Sequence, residues 1–525
     1  MRQNNYLGLR GTQLKAAMMV LVVAPSFILF GYNNGSTGGI ATLQSFVHQF
    51  PSIDTVNTKG SQETYNARVK GVVTGCYDLG AVVGSLLCIG YSDRIGRLRT
   101  TLIGLVLSII GLAVESSAFS LGQFIVGRLI VGGAIGTISS AIPVWQAECS
   151  GTAHRGAFVM LEGVCISGGI TLSEWVSFGF SFSSIPAVQW RIPLVFPVIF
   201  SIFVIPFIFL LPESPRWLAR KGRMDEARYV LAALEDEDAF CTKIQEEMAE
   251  IERSLSLVRG DLKELATNGE ERLFHRTVLA ACGQMFQQMC GISALVFYTS
   301  TIFEDLGFTG VKSRVLGACL TNFQTFASLI PLFLIDRYGR RRLFMITGTG
   351  LAISTAVLAG TGGKTHGSAS TAAVVFVFLF DLFYPIGFLG QTFLYATELA
   401  PLRHRVPITA AANATQWLCQ FIVAQVTPPG TSNLGSHYWI IYAVLNAAFV
   451  PIVYFFFPET SGRSLEEMDT IFRQSNSIFD VVKVARELPR TEEHITTPVE
   501  SDKSLTEDKT GVSWKPRYDQ QENVH

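Results

Sequence analysis

The sequence predicts an all-α membrane protein of twelve transmembrane helices, arranged as two six-helix bundles related by a pseudo-two-fold repeat. Three observations carry this: a composition suited to lipid, a count of apolar stretches, and short motifs that occur twice. Of 525 residues, 49% are hydrophobic and 16% charged, with 38 Phe and a mean hydropathy of +0.34. An ordinary soluble domain carries about 25% charged residues, so lipid is the solvent for most of this chain.

A bilayer is crossed by about 20 apolar residues. Candidate spans lie at 16–39, 69–91, 100–118, 122–145, 156–180 and 191–211, then at 275–303, 313–335, 343–361, 371–396, 407–427 and 438–457. The organisation read from this is a terminus (1–15), a first bundle (16–211), a polar linker with short helices (212–274), a second bundle (275–457) and a tail (458–525) expected to be mostly disordered after about 475. The even count puts both termini on one side. Lys and Arg concentrate there, also when the linker and tail are left out, which makes that side cytoplasmic, with the plasma membrane as the expected location. The first apolar stretch follows Arg2, Arg10 and Lys15 and lacks a small-residue cleavage signal, so it reads as a retained span.

Other classes are excluded by what is missing. A net charge of −1 does not suit a nucleic-acid binder. Nine Cys show no CxxC or Cys/His spacing and eight His are scattered, so neither a disulfide framework nor a metal site is read. No acid, base and nucleophile stand together, so an enzyme is not expected, and no cofactor is implied. Gly363-Lys364-Thr365 lacks the first glycine of a phosphate loop, and the sequon Asn413-Ala414-Thr415 falls inside a span.

The repeat is read from three motifs. Asp93-Arg94-Ile95-Gly96-Arg97 returns as Asp336-Arg337-Tyr338-Gly339-Arg340, Glu148 with Arg155 as Glu398 with Arg405, and Pro212-Glu213-Ser214 as Pro458-Glu459-Thr460, in the same order at nearly one offset. Two halves meeting at the midplane imply alternating access. The paired charges are expected to link the cytoplasmic ends of the bundles while those ends are together, holding an outward-open state.

Polar side chains at midplane depth are expensive unless partnered or facing a wet cavity. Gln284, Gln287, Gln288 and Gly291 form one stripe of the seventh span, with Gln324 in the eighth, Asp381 in the tenth and Gln416 in the eleventh. Amides donate and accept, as hydroxyls do, so the expected ligand is a small hydroxylated solute. Phe297, Tyr298, Phe393 and Trp417 are candidates to pack against its apolar faces. Glu162 lies about 8 Å from the midplane at 1.5 Å per residue, as a candidate for solute hydroxyls or a proton. Asp78 receives no role.

On these residues the chain, from about 16 to 470, resembles the sugar porter family of the major facilitator superfamily. Pro212-Glu213-Ser214-Pro215-Arg216-Trp217 and Pro458-Glu459-Thr460-Ser461-Gly462-Arg463 are similar to its two end-of-half signatures. Gln287-Gln288-Met289-Cys290-Gly291-Ile292 resembles its seventh-span sugar motif, and Gly127-Arg128 its fourth span; Phe388-Leu389-Gly390 looks most like fungal porters. The resemblance implies transport of a hexose, pentose or polyol. Ser293, Gln324 and Gln416 stand where glucose-binding members carry Asn, Phe393 where they carry Trp, and Gly163 where they carry Gln. Asn33 replaces the first-span Asp that in proton-coupled members pairs with the Arg at Arg128, which favours uniport; Glu162 keeps proton symport open. An exporter of a larger metabolite and a non-transporting receptor are the alternatives.

Overall fold

The computed structural model describes residues 6–488 apart from 151–154, 257–263, 266, 268, 309, 362–367, 402–403, 464 and 476. Ten helical stretches among these residues are long and apolar enough to cross a membrane. In the first half they are Gly11–Ile40, Ser61–Cys88 (within the helix Ser61–Ile95), Arg97–Ser116, Leu121–Cys149, Val159–Phe180 (within the helix Arg155–Phe180) and Pro186–Ile208. In the second they include Val311–Tyr338, Arg340–Thr361 and Ser368–Leu399. The tenth stretch, Pro407–Phe456, holds two crossings, the eleventh (Arg405–Leu434) and twelfth (Tyr438–Phe456), which turn at Gly435 with φ +55°.

The remaining crossing is the seventh, and it is not the single helix expected over 275–303. It is built from Leu273–Met289 and Ile292–Asp305, each too short to cross alone. Gly291 joins them at φ +104°. A side chain is strained in that region, and a Cβ at Gly291 would stand 3.0 Å from the Tyr442 ring. The break is therefore written into the Gln-Gln-Met-Cys-Gly run itself.

Small residues set the packing. A Cβ on Gly132 would lie 1.9 Å from the Tyr77 carbonyl oxygen, and one on Gly31 1.9 Å from that of Ile166. The second and fourth spans, and the first and fifth, thus touch backbone to backbone, as small residues allow in lipid. Val83, Leu86, Leu87, Ile103, Val106 and Phe333 are exposed on the outside, where acyl chains take the place of water.

On the face carrying both described chain ends, here the near face, the repeated motifs build two matching clamps. Arg97 grips Glu148 with two bonds, Nε at 3.1 Å and Nη2 at 3.2 Å, and Asp93 at 2.9 Å, while Glu213 accepts from the backbone N–H groups of Arg97 and Leu98. Arg340 grips Glu398 at 3.3 and 2.9 Å and Asp336 at 3.2 Å, and Glu459 accepts from the N–H groups of Arg340 and Arg341. Gly96 and Gly339 turn at φ +107° and +79°, and a Cβ there would meet Glu213 or Glu459 within 2.6 Å. Each clamp closes within its own half. The expected pairing across the inner ends is therefore not what these residues do: the i,i+4 spacing of Arg97 and Asp93 already satisfies the guanidinium locally. Arg94 and Arg337 are exposed, Arg405 is half-buried, and the side chain of Arg155 lies outside those described.

The linker carries helices at Pro215–Arg220, Met224–Glu235 and Thr242–Ser256. Lys15 and Lys243 both reach Glu235 at 2.8 Å, tying the linker to the start of the first span. The tail differs from the expected disorder after about 475, since Val481–Glu487 is helical, with Val481, Val482 and Ala485 buried. The rest of the tail lies outside the described residues.

Two outcomes follow from these contacts. Arg340→Ala leaves Glu398 without its cation in a largely buried site, and should lower stability by on the order of 3 kcal/mol, read as a drop in thermal midpoint of the purified protein; Arg340→Lys, without the planar fork, should recover only part. Burial works to raise the Glu235 carboxyl, but the Lys15 and Lys243 ammonium groups outweigh it and hold it below the usual carboxylate range. Its stabilising contribution is complete above that range and lost as pH falls through the lowered value. Proteolysis of the linker should accelerate below about pH 4, and Glu235→Gln should remove that acid dependence.

Candidate functional site

The broken seventh span turns its polar stripe toward a cavity between the halves, the kind of place where a bundle carrier holds its ligand. Phe30 and Asn34 of the first span and Ile166 and Ile170 of the fifth line one side. The other side is amide-rich: Gln287, Gln288, Gln324, Gln416 and Gln420, with Ser293, Phe297, Tyr384 and Leu389. Ser293 donates to the Gln288 side-chain oxygen at 2.5 Å, Gln287 donates to the Leu389 carbonyl at 3.1 Å, and Gln420 donates to the Asn34 oxygen at 3.2 Å across the halves. The side-chain oxygens of Gln287, Gln324, Gln416 and Gln420 are buried with no hydrogen-bond partner among the described residues. Four unfilled acceptors around one cavity suit a ligand that brings several donors.

Of the expected ligand-facing residues, Gln287, Gln288, Ser293, Gln324 and Gln416 come together here. Gln284 does not line the cavity; it is buried one turn away on the same stripe, its oxygen also unpartnered. Trp417 stands behind the wall, 5.1 Å from Phe30 and 5.8 Å from Tyr77 by ring centroids. Phe393 packs instead against the apolar cluster of Val159, Met160, Ile335, Leu343, Ile386 and Leu394. Glu162 is buried, with one oxygen unpartnered, four residues before Ile166 and so about 6 Å along the fifth span.

Phe30, Asn34, Tyr384 and Gln420 were not singled out from sequence. Gln420 had a signal, since it follows Gln416 at i+4 on the same face. Asn34 did not: two adjacent amides point 100° apart on a helix, and the sequence gives no phase to choose between them. The structure also separates Asn33 from Arg128 in partnership. Asn33 donates to the Leu29 carbonyl at 2.8 Å within its own helix, while Arg128 lies 3.6 Å from Glu115 and donates to the Thr74 carbonyl.

The halves meet above and below the cavity. On the far face, a Cβ on Gly38 would lie 2.6 Å from the Val296 carbonyl oxygen; beside it, within the second half, Tyr298, at non-helical φ −128° and ψ 25°, donates to the Ala424 carbonyl at 2.9 Å. Toward the near face, Asn413 reaches the hydroxyls of Ser140 at 2.8 Å, Ser85 at 3.2 Å and Ser139 at 3.3 Å. The sequon asparagine is thus a buried clasp between the eleventh span and the second and fourth.

The family model described as sugar (and other) transporter matches residues 18–472. The chain belongs to this transporter family. The transporter is 33% identical over 481 residues to the sugar transporter STL1 of Saccharomyces cerevisiae, covering 90% of this chain and 84% of that one. It is 31% identical to the major facilitator superfamily transporter mfsA of Aspergillus fumigatus, covering 92% and 91%. A solved structure of the proton:xylose symporter XylE bound to 6-bromo-6-deoxy-D-glucose superposes with a TM-score of 0.75 at 21% identity, covering 88% of this chain and 100% of that one. The inward open XylE from E. coli gives 0.68 at 20%, covering 87% and 99%. These structures share the transporter's fold. Its family makes it a multi-pass membrane carrier and not an enzyme.

The clasp predicts a measurable change. Asn413→Ala should loosen the near-face seam, raising hydrogen exchange at the start of the eleventh span and the near-face ends of the second and fourth, with no change at Tyr298.

Proposed function

We propose that the transporter carries a hexose, pentose or polyol across the plasma membrane by alternating access, with its near face and both termini in the cytoplasm. The observation that supports this best is the set of four buried glutamine oxygens without partners around one cavity between the halves. A hydroxylated solute supplies the missing donors, and Phe30 and Phe297 offer rings to its C–H faces. An apolar solute would leave those oxygens unsatisfied, which a site rejects strongly.

In the cycle, the second piece of the seventh span moves as the far-face gate, hinged at Gly291, and the Asn413 clasp opens in the opposite phase. Glu162 serves the solute on its near-face path as a hydroxyl acceptor. The clamps at Arg97 and Arg340 keep each half stiff while it rocks.

The test is uptake of labelled hexoses, pentoses and polyols in cells lacking their own carriers, with surface expression measured alongside. Saturable uptake of at least one of them is expected. Gln324→Ala and Gln416→Ala should each raise KM roughly two- to tenfold, the equivalent of one hydrogen bond of about 0.5 to 1.5 kcal/mol. Glu162→Gln should change affinity as well. Surface-expressed protein that moves none of the panel would refute the sugar assignment, and unchanged affinity in Glu162→Gln would remove that residue from the path.

A further inference from the structure

Three charged side chains lie together inside the first half, away from the solute cavity. Asp78 of the second span is fully buried, and Glu115 of the third and Arg128 of the fourth are each 1% exposed. The helices that carry them are in backbone contact: a Cβ on Gly127 would lie 2.7 Å from the Cα of Glu115, and one on Gly132 1.9 Å from the Tyr77 carbonyl. The Arg128 guanidinium is 3.6 Å from Glu115, sits over the Tyr77 ring at 4.9 Å and donates to the Thr74 carbonyl at 3.3 Å, and Asp78 lies within its electrostatic reach. Neither oxygen of Asp78, nor Oε1 of Glu115, has a hydrogen-bond partner among the described residues.

Charge balance decides what such a cluster holds. The guanidinium stays protonated, and one carboxylate neutralises it. The second carboxyl, if ionised, would be a bare anion away from water, at a cost far above that of holding a proton. Cys76 and Tyr77 of the second span and Tyr298 of the seventh are the other titratable groups facing the cluster, and none is a cation. Lys70, at the far-face end of the second span, lies 5.8 Å from the outer side of the Tyr298 ring. Among the described residues, Arg128 is the one cation that acts on Asp78.

We propose that Asp78 and Glu115 share one proton beside Arg128, and that this proton is the ion coupled to solute movement, a role that Asn33 leaves open in the first span. The cluster is placed to feel the gate. Thr74 gives its carbonyl to Arg128 and its side chain lies beside the Tyr298 hydroxyl, and Tyr298 belongs to the piece of the seventh span that moves in the proposed cycle. Tyr77 packs edge-on against Trp417 of the eleventh span. When Tyr298 swings away, water from the far face reaches the carboxyls and a carboxylate takes up a proton. When the near face opens, the acid returns it to water on that side, so one proton crosses per cycle. The proton site stands on the cluster alone; only its coupling rests on the sugar reading.

The experiment is infrared spectroscopy of the full-length protein in lipid at neutral pH, paired with uptake into vesicles under an imposed proton gradient. The wild type should show one more protonated carboxyl than Asp78→Asn, and Glu115→Gln should lose the same single proton, because either variant leaves one carboxylate opposite Arg128. Should Asp78→Asn fail to fold, Glu115→Gln against Asp78→Glu, which keeps both carboxyls, makes the same comparison. An equal count in wild type and variants overturns the site. In vesicles the wild type should concentrate its sugar several-fold along the proton gradient, and both neutral variants should stop at equilibrium; accumulation that persists in them overturns the coupling. A wild type that moves no sugar sinks the sugar assignment and the coupling with it, while the infrared count still decides the proton site.

Discussion

Hydrocarbon offers no hydrogen bonds, and a polar group buried there without a partner costs several kcal/mol. That constraint orders this transporter at every level. Helices close their own backbone bonds, and where a helix must break, as at Gly291, the break faces protein and cavity, away from lipid. Charges at the near face are closed into two clamps. Among the polar atoms left without a partner in the interior are the glutamine oxygens around the cavity and both oxygens of Asp78, and these carry the proposed solute and proton roles.

The two halves share a fold and divide the chemistry. The second half supplies most of the amide wall: Gln287, Gln288, Gln324, Gln416 and Gln420 all belong to it. The first half holds most of the interior carboxyls, Asp78, Glu115 and Glu162, with the guanidinium of Arg128, against Asp381 in the tenth span and Arg276 at the start of the seventh in the second half. A repeat fixes backbone geometry, and each copy then diverges where its side chains meet the cavity. Glu174, buried against Gly38 and Gly39 of the first span, continues the same bias toward charge in the first half.

Much of the architecture was legible in the sequence because lipid makes its demands locally. Span number, the repeat and the polar stripe of the seventh span follow from composition and spacing within single segments. The broken seventh span was half-legible: glycine stood in the motif, but only its φ of +104° and the nearby Tyr442 ring make it a hinge. The pairing of charges was not legible, because Arg97 and Arg340 could reach carboxylates in either half, and only the folded ends show that each keeps to its own. The partners of Arg128 were hidden for a similar reason. Glu115 is thirteen residues away by chain and comes near only through the close approach of the third and fourth spans at Gly127.

The self-contained clamps have a mechanical consequence. Each half behaves as a stiff lever whose rigidity is settled internally, so little of the energy that holds a half together is spent or released during a stroke. What changes in the proposed cycle is the seam, which is broad in packing but light in polar contacts: a glutamine to an asparagine, an asparagine to three serines, a few threonine and serine hydroxyls, and glycines in close approach. Durability and speed are thereby assigned to different residues. Drift in the seam retunes turnover without threatening the fold, which leaves this scaffold free to change its cargo and pace while its levers stay the same.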